Sequence, residues 1–261
     1  MNERRIGPLS PAAIRLHRSG RGPALVMLHC LGMTHHLWDY LGGLADRFTL
    51  VSYDLPGHGE TALPDAPYGV EELSAQLAAV LRREGIAQAH VMGISLGGLV
   101  AQCLAATEPA MVNRLVLCDT TPRYTDEARA NWTVRAAAAR RDGAASLLPM
   151  IEKIWFTPEF VAAEAPAVKL VRDTFHACSG EGYALACEAL GAADLRALAA
   201  RIMAPTLVVC GADESDAFKD AARWLAQNIA GARLEFVTQA AHASVLEQPA
   251  AIERLLRSFL G

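Results

Sequence analysis

The sequence Gly93-Ile94-Ser95-Leu96-Gly97 decides how the rest of this chain is interpreted. An apolar run over 89–92 precedes it, and a run typical of a helix, 99–106, follows it. This order predicts a strand, a tight turn and a helix. Glycines two positions before and after Ser95 permit the strained turn that lifts a serine hydroxyl above a sheet edge, at a helix N-terminus. We therefore predict that Ser95 is a nucleophile. The alternative is a small-residue turn that only packs the helix against the strand.

A serine hydroxyl needs a general base and an acid that orients the base. The base that we predict is His242. It lies in the loop after the last apolar run, 234–237, and before a final helical pattern over 249–260. In triads of this kind the chain order is serine, acid, histidine, so the acid is expected between Ser95 and His242.

Several carboxylates are candidates for the acid. A run typical of a buried strand, 206–210, leads into a loop that contains Asp213, Glu214 and Asp216. Position favours Glu214, three residues after the glycine that ends the strand, and Asp213 is the next choice. Asp119, at the end of an earlier strand, is a further candidate, and the carboxylates not chosen are interpreted as loop residues or caps.

Acyl transfer also needs two backbone N–H groups that bind the developing oxyanion. The amide of Leu96, next to the serine, is one candidate. The other is the amide of Leu31 in the sequence His29-Cys30-Leu31-Gly32, a variant of the His-Gly-x-Gly loop that follows an earlier strand. We interpret Cys30 as a small buried side chain and not as a second nucleophile.

Composition limits the possible functions. The chain has 261 residues, 52% of them hydrophobic and 20% charged, with a formal net charge of −4, which suits one large α/β domain. Its basic residues are scattered, so we expect a small-molecule substrate and no nucleic-acid or membrane partner. The absence of an apolar signal segment and of paired spacing among six cysteines indicates a cytoplasmic protein with reduced thiols. No cofactor is expected. No metal is expected either, because the adjacent His35 and His36 should point apart and have no acidic or cysteine partner nearby.

Strand and helix patterns alternate along most of the chain. Strands are predicted near 14–17, 25–28, 49–53, 89–92, 115–118, 206–210 and 234–237, with helices near 38–45 and 70–83. The alternation stops between 121 and 200, where the sequence predicts several alanine-rich helices. An all-helical insertion above the strand ends is typical of a lid over a site.

On these motifs the chain resembles the α/β-hydrolases, and within them the 3-oxoadipate enol-lactonases. The matching parts are Leu31-Gly32 with Trp38-Asp39, the stretch 93–98, the Gly-Ala-Arg at 231–233, and Trp132 three residues before Arg135. The resemblance implies a mostly parallel sheet with helices on both faces and a helical lid inserted after the sixth strand. It implies a core of 1–120 and 201–261 and a lid of 121–200.

The resemblance also implies that Trp132 and Arg135 contact the substrate. A guanidinium and an apolar wall suit an enol-lactone that carries a free carboxylate, as in the breakdown of aromatic compounds. The chain departs from the family at Cys30 and Glu214, where another small residue and an aspartate are more usual. The alternatives are a carboxylesterase, a carbon–carbon-bond hydrolase or an amide hydrolase on the same triad, or a ligand-sensing receptor with this fold. An ordinary core tryptophan and surface arginine would equally explain the pair.

Overall fold

The structure is a computed structural model, and it describes residues 9–261. The chain forms one sheet of seven strands: β1 (His17–Gly20), β2 (Ala24–Leu28), β3 (Thr49–Ser52), β4 (Ala89–Ile94), β5 (Val112–Cys118), β6 (Thr206–Gly211) and β7 (Arg233–Val237). Their order in the sheet is β1-β3-β2-β4-β5-β6-β7. β1 runs antiparallel to β3, and all other neighbouring strands are parallel.

The helices connect and cover the strands. They are α1 (Val70–Arg83), α2 (Leu96–Thr107), α3 (Asp126–Asp142), α4 (Leu148–Trp155), α5 (Pro158–Ala162), α6 (Pro166–Ala177), α7 (Gly180–Ala192), α8 (Arg196–Ala199), α9 (Asp216–Asn228), α10 (Ser244–Glu247) and α11 (Pro249–Leu260). Short 3₁₀ helices cover Pro11–Ala13, His35–Asp46, Pro109–Met111 and Ala144–Leu147.

The core lies around the central strands. Every residue of β4 and β6 is buried, which requires cover on both faces of the sheet. Helix α2 is buried from Leu96 to Ala106, as its almost wholly apolar sequence indicates. The predicted α/β architecture is therefore confirmed.

Helix α1 has the bounds that the sequence predicts. Glu71 and Glu72 lie in its first turn, and Glu72 Oε2 accepts a hydrogen bond from the amide of Gly69 at 2.8 Å. Arg82 and Arg83 lie in the last turn, so charges of the favourable sign meet both ends of the helix dipole. Gly85, with φ +70°, follows the helix end.

Three predictions about elements are wrong in detail. The first strand begins at His17 and not near Ile14, because Ile14 packs in the core while β1 is an exposed edge strand. The helix predicted over 38–45 is a 3₁₀ helix, interrupted at Leu41, where φ is −108° and ψ is 19°. The pair Gly42-Gly43 follows, and glycine weakens α-helix.

The third correction concerns the predicted lid. Within residues 9–261, helices α3 to α8 lie between β5 and β6, so this segment follows the fifth strand and not the sixth. We call residues 121–200 the helical segment. Residues 1–8 of the predicted core segment 1–120 lie outside the described residues.

Candidate active site

Ser95 lies between β4 and α2. Its backbone has φ +52° and ψ −113°, a conformation that residues other than glycine rarely adopt. Its amide donates to the carbonyl of Cys118 at 3.0 Å, and its carbonyl accepts from Thr120 Oγ1 at 2.7 Å. The neighbouring glycines are needed for steric reasons. A Cβ on Gly93 would lie 2.1 Å from the carbonyl oxygen of Gly97. The strand, turn and helix predicted around Ser95 are therefore present.

Gly97 also brings the serine turn against the end of β2. A Cβ on Gly97 would lie 2.1 Å from the Leu28 carbonyl oxygen, so only glycine allows α2 to start this close to β2. The loop after β2 is held by His29, whose Nε2 accepts from the Leu55 amide at 2.8 Å and whose Nδ1 lies 2.8 Å from the Cys30 carbonyl. The predicted oxyanion donor Leu31 lines one cavity with Ser95.

The second predicted donor, Leu96, is the first residue of α2, and its amide therefore belongs to the helix N-terminus, where N–H groups point toward a bound anion. Cys30 is 2% exposed, and burial raises the pKa of its thiol. A protonated thiol is a poor nucleophile, which agrees with our interpretation of Cys30 as a small buried side chain.

His242 and Glu214 meet at the ends of β7 and β6. The distance from His242 Nδ1 to Glu214 Oε2 is 2.6 Å, and both side chains are buried. Because a carboxylate accepts, the Nδ1–H of His242 donates to Glu214, which leaves Nε2 to accept a proton. His242 and Ser95 line the same cavity.

The pKa values of this pair move in the directions that a base and its orienting acid need. Burial acts to raise the pKa of the Glu214 carboxyl, but His242 and the Ser215 amide outweigh it and lower the pKa below its usual value. Burial acts to lower the pKa of His242, and Glu214 outweighs it, so the pKa of His242 is raised. His242 is therefore a stronger base than a free imidazole.

The other candidate acids do not contact His242 in this way. Asp213 is exposed, and Asp216 forms an ion pair with Lys219 at 2.9 Å. Asp119 is buried, and its carboxylate accepts from the Gly211 amide at 2.8 Å and from Ser244 Oγ at 2.5 Å. Burial raises the pKa of Asp119 to about 7.

A cavity of about 1040 Å³ extends from the serine turn to the helical segment. Its walls are mainly aromatic and aliphatic. The Phe218 ring centroid lies 4.7 Å from that of His242, and Trp155 lies on another side at 6.2 Å. Apolar rings around His242 lower the local polarity and strengthen the polar contacts of the site.

The predicted substrate-binding pair lies in this cavity. Arg135 Cζ is 4.6 Å from the centroid of the Trp132 ring. Within residues 9–261 Arg135 makes no ion pair, whereas Arg140 on the same helix pairs with Glu181 at 2.7 Å. Arg135 therefore presents an uncompensated positive charge to the cavity.

Two buried polar atoms near Arg135 also have no hydrogen-bond partner among the described residues: Trp132 Nε1 and the hydroxyl of Tyr183. Buried polar groups of this kind are normally paired, so both have unused hydrogen-bonding capacity. Tyr183 is fully buried on α7, beside Arg135. We call these three groups, on Arg135, Trp132 and Tyr183, the polar corner of the cavity.

Sequence reasoning missed several residues of the cavity wall. Tyr124 lies beside Ser95 and makes edge contacts with Trp132 and Phe218, at centroid distances of 5.2 and 6.1 Å. Tyr183 comes from a helix far along the chain. No spacing in the sequence marks these aromatic residues, because their faces are selected by the packing of α3, α7 and α9.

The prediction that His35 and His36 have no acidic partner nearby is wrong. His35 Nδ1 lies 2.9 Å from Asp54 Oδ1, and His36 Nδ1 lies 2.9 Å from Asp39 Oδ2, so both have an acidic partner. Their ring centroids are only 4.1 Å apart. Within residues 9–261, His17, His35 and Asp54 are close enough to hold a metal ion. Both Asp54 oxygens already accept backbone hydrogen bonds, from His35 and Glu60, which explains the group as structural.

All six cysteines are free thiols. No helix within residues 9–261 is long and apolar enough to cross a membrane.

Comparison with known proteins identifies the family. The sequence profile of the alpha/beta hydrolase family matches residues 25–255. A 3-oxoadipate enol-lactonase 2 of Acinetobacter baylyi is 33% identical over 239 residues, 91% of this chain and 88% of the relative. A pimeloyl-[acyl-carrier protein] methyl ester esterase of Chromobacterium violaceum is 35% identical over 258 residues, 92% of this chain and 95% of the relative.

A solved structure gives the same result. The enol-lactonase from Burkholderia xenovorans LB400 superposes with a TM-score of 0.90 at 33% identity, over 95% of this chain and 96% of that one. The chain belongs to the alpha/beta hydrolase family, and it is a hydrolase. Its resemblance to enol-lactonases, which the motifs indicate, is confirmed.

Proposed function

We propose that this protein is a serine hydrolase that opens a small enol-lactone carrying a free carboxylate, of the 3-oxoadipate enol-lactone type. The observation that carries the proposal is the unpaired guanidinium of Arg135 in the cavity that Ser95 and His242 line. A mainly apolar cavity whose wall includes the unpaired guanidinium of Arg135 suits a small substrate with an anionic group.

In this proposal Ser95 Oγ attacks the lactone carbonyl carbon while His242 Nε2 accepts the hydroxyl proton. Glu214 holds the Nδ1–H of His242 and stabilises the imidazolium. The amides of Leu31 and Leu96 bind the oxyanion. The ring C–O bond then breaks, and His242 returns its proton to the leaving oxygen. The ring-opened chain stays attached to Ser95 as an ester.

The second half releases the product. A water molecule gives a proton to His242 and its oxygen attacks the acyl carbon of the Ser95 ester. The Ser95 oxygen leaves and takes the proton from His242. One water is consumed, one ester bond is cleaved, and the enzyme is restored. No metal or cofactor takes part in these steps.

In this proposal the polar corner binds the substrate carboxylate. A carboxylate accepts two hydrogen bonds from a guanidinium fork, and Trp132 Nε1 and the Tyr183 hydroxyl are further donors. Trp132 also supplies an apolar wall for the ring. In this assignment residues 121–200 form a lid over a core of 1–120 and 201–261. The partner is a small molecule, not a nucleic acid or a membrane, and the six free thiols favour a reducing compartment such as the cytoplasm.

The proposal is tested with Arg135→Ala on two substrates, an acidic enol-lactone and an uncharged nitrophenyl ester. We expect kcat/KM for the lactone to fall roughly ten- to a hundredfold, the value of one charged hydrogen-bonded contact. The neutral ester offers the guanidinium nothing to pair with, so its kcat/KM should hardly change. Arg141→Ala is the matched control, because Arg141 lies on the same helix and pairs with Asp142 at the surface.

Equal losses on both substrates, or no loss, would contradict the proposal that Arg135 recognises a substrate carboxylate. The second candidate, a carboxylesterase for uncharged substrates, then becomes the better assignment. It has support from the apolar cavity walls and from the 35% identical methyl ester esterase relative. A carbon–carbon-bond or amide hydrolase would require turnover of those substrates and none of the lactone. A ligand-sensing receptor would bind the lactone and turn over neither substrate.

A further inference from the structure

The loop that carries His242 is held on both sides of the histidine. The amide of Ala241 donates to Glu247 Oε2 at 2.6 Å, and the amide of Ala243 donates to the Trp155 carbonyl at 2.8 Å. The first contact leads to a buried carboxylate, and the second leads directly to the helical segment. The backbone position of His242 is therefore defined by groups outside its own loop.

The other oxygen of Glu247 reaches the same part of the helical segment. Glu247 Oε1 accepts from the Thr157 amide at 2.8 Å and from Thr157 Oγ1 at 2.7 Å. Glu247 is 6% exposed and forms no ion pair within residues 9–261. Burial raises the pKa of its carboxyl, and the donors on Thr157 and Ala241 oppose that rise. Its place in the fold is thus explained by these three hydrogen bonds alone.

Residues 155–157, the junction between α4 and α5, also form part of the cavity wall. The Trp155 ring lies tilted beside that of His242, with 6.2 Å between the centroids, and makes an edge contact with Phe175 of α6. Trp155 and Thr157 therefore meet the cavity on one side and hold the His242 loop on the other, Thr157 through Glu247.

We propose that Glu247 is a positioning residue that fixes the His242 loop to the α4–α5 junction of the helical segment. The place of the general base then depends on the place of this junction. A base that is displaced by about 1 Å loses much of its activity, since proton transfer requires close contact. This inference rests on the role of His242 in the proposed function.

The variant that tests it is Glu247→Gln. A glutamine has the same size, but one carboxylate oxygen becomes an NH₂ group. Whichever way the amide turns, that NH₂ faces a backbone N–H, of either Thr157 or Ala241, and one side of the bridge is lost. The matched control is Glu235→Gln, which makes the same change in charge at an exposed position of β7.

Hydrolysis of a nitrophenyl ester gives the first measurement. We expect Glu247→Gln to lower kcat about 10- to 100-fold with a much smaller change in KM, and Glu235→Gln to match the wild type. Circular dichroism at the assay temperature establishes that the folded fraction is the same in each protein.

The pH profile of kcat/KM gives a measurement that a merely structural role would not change. The acidic limb reports the titration of Asp119, whose pKa is about 7, together with the pKa of His242, which Glu214 raises. If the loop is displaced, the contact with Glu214 lengthens and that pKa falls. The limb of Glu247→Gln should therefore move to lower pH. Asp213 also lies near Glu247, so Asp213→Asn is measured in parallel and should leave the limb in place.

Thr157→Val supplies a double-mutant cycle. It removes one donor to Glu247 and keeps the shape of the side chain. If Glu247 acts through Thr157, the loss of kcat in the double variant will be smaller than the product of the two single losses.

A lowered melting temperature with unchanged kcat, KM and acidic limb in Glu247→Gln would overturn the inference, and so would independent effects in the cycle. These outcomes are separable from failure of the proposed function. That failure would appear as hydrolysis that persists in Ser95→Ala, whatever Glu247→Gln does.

Discussion

At Ser95 the backbone adopts a positive φ that costs of the order of 1–3 kcal/mol. Hydrogen bonds oppose this cost: from the Ser95 amide to Cys118, and from Thr120 Oγ1 and the Leu99 amide to the Ser95 carbonyl. At about 0.5–1.5 kcal/mol each, they are sufficient to offset the strain. The serine can thus be held above the sheet edge without loss of local stability.

Among the candidate carboxylates, Glu214 is the one that hydrogen-bonds His242. We predict that Glu214→Gln lowers kcat by orders of magnitude, because the amide cannot stabilise the imidazolium and can select the wrong tautomer. Asp213→Asn should be mild, since Asp213 is exposed. Asp119→Asn should also be mild, because Asp119 does not hydrogen-bond His242 and an amide oxygen can still accept from the Gly211 amide. Steady-state hydrolysis by the three variants is measured side by side. If Asp213→Asn or Asp119→Asn lost most activity while Glu214→Gln stayed active, the residue with the large loss would be the acid that orients His242.

The serine turn and the predicted base are recognisable in the sequence because each has characteristic neighbours. Ser95 has its glycines, and His242 follows the last strand. The acid could not be fixed in this way, because three of its candidates lie within a few residues of one loop. Only the fold shows that Glu214 turns inward to His242 while Asp213 faces solvent.

At the scale of elements, the contact between α2 and the end of β2 brings the serine turn to the loop of Leu31. We predict that Gly97→Ala destabilises the fold by about 1–3 kcal/mol, because its Cβ would lie 2.1 Å from the Leu28 carbonyl oxygen. Gly42→Ala is the control, since a Cβ there meets nothing within 4 Å. Urea unfolding of both variants measures the free energies. Equal stability of the two would show that α2 does not need this close approach.

Elements with strong periodicity or caps were predictable, and those set by tertiary contacts were not. Helix α1 matches its prediction because charged residues and Gly85 mark its ends. Strand β1 was displaced in the prediction, because an exposed edge strand has no apolar pattern. The 3₁₀ helix His35–Asp46 has an amphipathic pattern that resembles an α-helix, and its kink at Leu41 has no separate signal.

At the scale of the whole molecule, the sheet brings together the ends of β2, β4, β6 and β7, and the helical segment covers them. Ligand sites at the carboxyl ends of parallel strands follow from this topology, so the general location was predictable. The residues of the polar corner were only partly predictable from the sequence. Arg135 and Trp132 were found through a resemblance, whereas Tyr183 reaches the same corner from α7 and could be found only from the packing of α3 on α7.

The buried Asp119 makes the stability of the whole molecule depend on pH. Its pKa is about 7 in the folded chain, against about 3.9 in an unfolded one. The folded state therefore binds this proton more tightly. The contribution of the Asp119 proton to the free energy of unfolding is fully present below about pH 4. It is lost as the pH rises through about 7, at about 1.4 kcal/mol per pH unit. Asparagine has no proton to lose.

Thermal unfolding of the wild type and Asp119→Asn across this range tests that dependence. The melting temperature of the wild type should fall relative to that of the variant as the pH rises from about 4 to about 7. Asp65→Asn, which changes an exposed carboxyl, is the control. A constant difference between wild type and Asp119→Asn at every pH would contradict the raised pKa of the buried Asp119 carboxyl.

Hydrolysis of a nitrophenyl ester by Ser95→Ala tests whether Ser95 is the nucleophile of this hydrolase. Circular dichroism should show an unchanged fold, because alanine keeps the Cβ and the backbone contacts of the turn. We predict that the rate falls by 10³–10⁴-fold or more, with residual activity from the oxyanion donors. A correctly folded Ser95→Ala that kept more than about a tenth of the wild-type rate would contradict the mechanism.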